Sequence, residues 1–160
     1  MAVFNKNSLS QISGFDNQIL SGELVWNQKA FWNLFITNDA GVLPLTGATI
    51  DAQIIRRVLT NVIDTRNGLT FTIGDYNPTP TPISLTITNI NYTNGSFTLV
   101  MDDSAWGLAS SDTGLDIADP NGIGYSGRIK ISFPANGSTP AEDIIIFLFF
   151  IVRSDGIVVE

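Results

Sequence analysis

Apolar and polar residues alternate with a period of two along most of the chain beyond residue 30. At 48–57, Ala48, Ile50, Ala52 and Ile54 share one parity, while Thr49, Asp51, Gln53 and Ile55 share the other. Side chains on a strand point alternately to its two faces, so this pattern predicts a strand with one buried face. The same signature, rich in β-branched and aromatic residues, predicts strands at 31–37, 69–73, 83–90, 97–101 and 125–133. Turn signals separate them: Asn38-Asp39-Ala40-Gly41, the run 64–68 ending in Asn67-Gly68, and Asn94-Gly95, which favours a tight hairpin joining 83–90 to 97–101. Pro78, Pro80 and Pro82 exclude a central strand or helix and impose an extended edge or loop. Residues 102–108 predict one helical turn, capped by Asp102 or Asp103, with Trp106 packed beneath it.

One stretch breaks the alternation. Residues 144–152 are apolar without interruption, with Glu142-Asp143 before them and Arg153-Ser154 after. As a helix this run is only ~14 Å long, far short of the ~30 Å hydrocarbon core of a bilayer. As a strand it reaches ~30 Å, and its Ile and Phe content favours that form. A strand apolar on both parities predicts cover on both faces. The core supplies one, with 125–133 as hairpin partner. A second element, expected to be the N-terminal arm or another subunit, supplies the other, over Ile145, Phe147, Phe149 and Ile151 or their neighbours.

Residues 1–28 read differently. Polar clusters separate Phe15, Ile19, Leu20, Leu24, Val25 and Trp26, too sparsely for a core of their own. The expectation is a polar arm with one short strand near 22–26. It either hugs its own domain or docks on a neighbour through Phe15 and Trp26. Residues 29–160 then form an all-β sandwich.

Composition narrows the chemistry. Charged residues make up 14% of the chain and the net charge is −7. A surface so poor in charge suits burial in an assembly. Eight basic residues, with Arg56-Arg57 the sole adjacent pair, do not make a phosphate-binding surface, so no nucleic acid is expected. The absence of Cys and His removes thiol nucleophiles, Ser-His-Asp triads and ordinary zinc sites. The first residues lack a signal-peptide apolar region and no segment is long enough to span a membrane, so synthesis and assembly in a cytoplasm and no membrane partner are expected.

The candidate chemistry is thin. Asp102, Asp103, Asp112, Asp116, Asp119 and Asn121 form the main acidic concentration. They offer calcium-type oxygen ligands but lack EF-hand spacing, and turn chemistry accounts for them, so no metal or cofactor is assigned. Asp51, Asp102, Asp103 and Glu142 are the carboxylates a glycosidase would need in a pair, yet nothing around them marks an active site, and no enzymatic activity is expected. Trp26, Trp32, Trp106 and Tyr125 suit a core; Tyr76 and Tyr92 are the candidates for an exposed glycan contact. Arg56, Arg57, Arg128 and Lys130 either protect strand edges or pair with acidic groups on a neighbour.

The run 38–56, with Leu45-Thr46-Gly47-Ala48-Thr49 between two strand patterns, resembles the opening of the immunoglobulin-like domains of phage baseplate upper proteins. The Asn94-Gly95-Ser96-Phe97-Thr98-Leu99 hairpin and the closing apolar strand fit the same layout, and the whole chain is similar to small structural proteins of tailed phages that infect cyanobacteria. It departs from the pattern in its Pro-rich 77–82 insert and its acidic 110–124 loop. The resemblance implies an immunoglobulin-like β-sandwich of about seven to eight antiparallel strands. It also implies a non-enzymatic virion protein of the tail or baseplate, with other virion proteins and copies of itself as partners. A capsid-decoration or neck protein is the alternative, or a carbohydrate-binding module recognising a host-surface glycan. The interface residues expected are Phe15, Trp26, Arg56, Arg57, Ile145, Phe147, Phe149 and Ile151.

Overall fold

A computed structural model describes residues 9–12, 18–57, 62–64, 71–73, 80–115 and 122–154. Its strands are β1 (Ser10–Ile12), β2 (Ile19–Val25), β3 (Ala30–Phe35), β4 (Thr37–Asn38), β5 (Gly41–Val42), β6 (Thr49–Arg56), β7 (Val62–Asp64), β8 (Phe71–Ile73), β9 (Ile83–Ser84), β10 (Thr86–Asn91), β11 (Ser96–Met101), β12 (Ile123–Phe133) and β13 (Glu142–Arg153). One helix, α1 (Asp103–Ser110), follows β11. A six-stranded sheet in the order β1-β2-β13-β12-β6-β9 faces a three-stranded sheet in the order β10-β11-β3. The fold is an all-β sandwich. Small β4–β5 and β7–β8 ladders lie outside these two sheets.

The alternation seen in sequence builds the core. From the large sheet, Leu24, Ala52, Ile54, Ile129, Ile131, Ile146, Leu148, Phe150 and Val152 point inward; Trp32, Phe97, Leu99 and Met101 meet them from the small sheet. Trp32 stacks on Phe150 with ring centroids 5.0 Å apart, an apolar pin between the two layers. At one end, Asp102 caps α1 by accepting the Ala105 N–H at 3.0 Å. That fixes Trp106, whose indole N–H donates to the Gln28 carbonyl at 2.8 Å.

Several expectations change. The 83–90 pattern is two strands, because the chain crosses between sheets at buried Leu85: β9 pairs with β6, and β10 pairs with β11. Both halves keep the same parity, so periodicity alone does not reveal the crossing. Asn94-Gly95 does close a hairpin, but the last pair is Asn91 with Ser96, leaving residues 92–95 in the loop. Gly95 alone of that loop has positive φ, and a Cβ there would collide with the Leu43 carbonyl oxygen. The sheets are not wholly antiparallel, since β2 runs parallel to β13 in the register Phe147 with Ile19 through Arg153 with Val25. The described part of the arm therefore lies beside β13 in the sheet, not over its outer face. The expected strand at 69–73 is described only at 71–73, and the Pro-rich segment through Thr79 lies outside the described residues.

Candidate docking surface

β13 is central in the large sheet, with β12 on one side and β2 on the other. Its even-numbered residues enter the core. Its odd-numbered residues form a row on the outer face, where Phe147, Phe149 and Ile151 remain 42%, 36% and 38% exposed and Ile145 is half-buried. Among the described residues no element lies over this row. Half-buried Ile19 and Val25 from β2 and Ile55 from β6 share the face; Ile19 lies directly beside Phe147, while Ser126 separates Ile55 from Phe149. A contiguous exposed apolar patch on one sheet face marks an interaction surface more often than a solvent face.

Charges surround the row. Lys130 bonds Asp143 at 3.1 Å, and Arg153 bonds Glu23 at 3.1 Å. The Ser132 hydroxyl, then Lys130, hold the Asp143 carboxyl below the usual carboxylate range. Arg57 folds inward, its guanidinium 4.8 Å from the Phe149 ring centre, and its stem runs beside Gly124. This cation–π contact places the guanidinium over the middle of the apolar row.

Arg56 takes the opposite course and corrects the expectation that it sits at an interface. It follows Ala52 and Ile54 in parity, points into the sandwich and is 3% exposed. Its Nε donates to Asp112 Oδ2 at 2.6 Å and its Nη2 to Oδ1 at 3.1 Å, a two-pronged pairing. The Gly114 N–H also donates to Asp112 Oδ1 at 3.0 Å. Burial pushes the Asp112 carboxyl up, but the Arg56 and Gly114 hydrogen bonds and the guanidinium charge outweigh it and hold the group below its ordinary value. Tyr125 lies in the same region. Burial first, then Asp112, raises its hydroxyl to about 12, and the hydroxyl has no hydrogen-bond partner among the described residues.

The other candidates separate. Phe15 lies outside the described residues. Trp26 is half-buried at the end of β2, edge-on to Trp106 with centroids 5.1 Å apart, so it anchors the arm to its own domain. Asp51 faces Lys130 across the β6–β12 ladder, Asp102 caps α1, Asp103 pairs with Lys29 at 2.9 Å, and Glu142 begins β13 exposed. The Thr86 hydroxyl, then the Ala105 N–H, lower the Asp102 carboxyl. Each of Asp102, Asp103 and Asp112 thus has a structural partner, while Asp116, Asp119 and Asn121 lie outside the described residues. Among the described residues no three acidic groups gather as metal ligands, and no helix is long and apolar enough to cross a membrane. Tyr92 is exposed in the hairpin loop; Tyr76 lies outside the described residues.

A second apolar feature went unnoticed in the sequence. β3 is the edge of the small sheet, and Phe31 and Phe35 on it are 51% and 68% exposed. Beside it opens a groove of about 810 Å³, lined by apolar Leu9, Leu20 and Ile144 and by polar Gln18, Asn33 and Asn38. The available signal was the parity of 30–35, which turns Phe31 and Phe35 to the face opposite Trp32. No protein-family model matches the chain, and no curated protein matches its sequence.

Proposed function

We propose that this chain is a non-enzymatic structural subunit that docks on neighbours through the outer face of its large sheet. The observation that carries this reading is the exposed row Phe147, Phe149 and Ile151 on the central strand. Burying that row removes apolar area from water at about 25 cal/mol per Å², the usual source of cohesion between subunits. Its setting is the particle of a tailed phage, in the tail or baseplate. Support for that setting is the sequence resemblance carried by residues 38–56 and the 94–99 hairpin, together with the scarcity of charge.

Two measurements test it. Sedimentation of the full chain at rising concentration should show association, and Phe149→Asp should abolish it while leaving the β-sheet circular dichroism unchanged. A monomer at millimolar concentration would overturn the docking reading. Antibody labelling of purified particles should decorate the tail end; labelling confined to the head would move the subunit to the capsid.

A further inference from the structure

The docking face has a two-dimensional pattern that narrows what covers it. Strand register gives its rows across β2, β13, β12 and β6. At the level of Phe147 the row is Ile19, Phe147, Arg128 and Gln53. One step along it is Ser21, Phe149, Ser126 and Ile55. The next is Glu23, Ile151, Gly124 and then Arg57, whose N–H donates to the Gly124 carbonyl at 2.8 Å. The acidic and basic groups of this last row therefore lie on opposite sides of β13.

We propose that the face packs against the same face of a second copy about a two-fold axis parallel to β13, with Glu23 of each copy meeting Arg57 of the other. This rests on the reading of the face as a docking surface and names its occupant. Rotation about such an axis exchanges β2 and β12, the strands flanking β13, at an unchanged level. Glu23 of one copy then falls over Gly124 of the other. Gly124 offers no side chain to block it, and a Cβ there would have the Arg57 stem as its nearest neighbour, at 3.6 Å. The incoming carboxylate thus enters a gap walled by Arg57.

Sheets packed face to face lie about 10 Å apart, within the combined reach of Glu and Arg side chains. The Phe147 rings meet their own copies along the axis, the Arg57 guanidinium leaves its place over Phe149 to meet the incoming Glu23 carboxylate, and Arg128 lays its stem over Ile19 of the other copy. Glu23 keeps its own Arg153, so each carboxylate is shared between two cations.

At the level of Ile151 charge favours this axis over the alternative; Arg153, which comes level with its own copy, is drawn aside toward Glu23. A two-fold perpendicular to the strands at Phe149 would place Arg128 of one copy over Gly124 of the other, beside Arg57. That sets like charges together, and like-charge contact is what excludes wrong arrangements at interfaces. Area is adequate but modest. Four strands at ~4.8 Å by seven residues at ~3.3 Å cover roughly 440 Å² of plane per copy. Both copies with side-chain relief come to about 1,000 Å², near the lower bound for a specific interface, so a dimer of moderate affinity is expected.

Reciprocal charge reversal in the full chain tests the arrangement, read by sedimentation at low salt with circular dichroism as the folding control. Glu23→Arg and Arg57→Glu should each weaken dimerisation by roughly 10-fold or more, since two symmetric pairs are reversed at once. The double variant should return to within about 3-fold of the parent. Glu23→Gln and Arg57→Gln repeat the test without placing a new like charge beside Arg153 or Arg128, and should each show a smaller loss. Dimers indifferent to these changes, or a double variant that stays weak, would overturn the two-fold arrangement while leaving the docking face standing. Open-ended oligomers would overturn it too, because a two-fold contact closes. A parent chain that remains monomeric would overturn both.

Discussion

Arg56 and Arg57 are consecutive in sequence and belong to opposite regions of the molecule. Arg56 carries charge into the sandwich and is held there by Asp112 and Gly114. Arg57 lies on the outer face, over an aromatic row that the usual distribution would bury. The large sheet thus places an ion pair inside and phenylalanines outside. The inner ion pair is made within the chain, so it serves the fold. The outer face has no covering element among the described residues, which is the ground for the docking proposal. What a surface leaves unpartnered is more informative about function here than its polarity.

The largest expected effect breaks the inner site. Asp112→Ala leaves a buried guanidinium without its carboxylate and should cost about 3–5 kcal/mol in urea unfolding. Replacing both partners, Arg56→Met with Asp112→Leu, should recover most of that loss, because the desolvation of both charges is removed with them. A double variant as unstable as the single would mean that the pair holds the fold by more than mutual compensation.

Adjacent residues on β13 give the next contrast. Leu148→Ala empties a core position and should cost about 2–5 kcal/mol. Phe149→Ala, one residue on, should change monomer stability by under about 1 kcal/mol and act on association instead. Equal destabilisation of the monomer by the two would show that the outer face is covered within its own chain.

Acid should separate the regions further. Asp112 and Asp102 have lowered folded values, so the stability they supply is complete above the ordinary carboxylate pKa of about 3.9 and is lost as pH falls through their folded values. With no histidine in the chain, stability should be nearly flat from pH 5 to 8 and fall below pH 4. Asp112→Asn should lower the plateau and shallow that fall.

The smallest effect concerns Tyr125. Its buried hydroxyl lacks a partner among the described residues, so Tyr125→Phe should be neutral or stabilising by up to about 1 kcal/mol in thermal unfolding. Clear destabilisation would reveal a hydrogen bond to a group outside the described residues.

Much of the strand architecture was legible. The parity of 48–57 placed Ala52 and Ile54 inside, and the same parity carried Arg56 inward, a signal that its charge and its pairing with Arg57 in sequence obscured. The cap at Asp102 and the pairing of 125–133 with the final strand followed from local pattern and proximity. The Arg56–Asp112 contact did not, because a partner 56 residues away leaves no periodic trace.

The sequence by itself determined most of the strands and, where apolar and polar residues alternate as at 48–57, which parity faces inward, because both follow from side-chain alternation within one segment; on the unbroken apolar run 144–152 it left the parity open. Only the tertiary structure decided which strands beyond the local hairpins are neighbours. It set β2 parallel beside β13, moved the chain between sheets at Leu85, and left Phe147, Phe149 and Ile151 without cover in the described chain. A strand apolar on both parities asks for two partners, but its own residues cannot say whether both come from the same chain. That depends on how many strands the rest of the fold can spare to lie above it. Here the smaller sheet covers only the inner face.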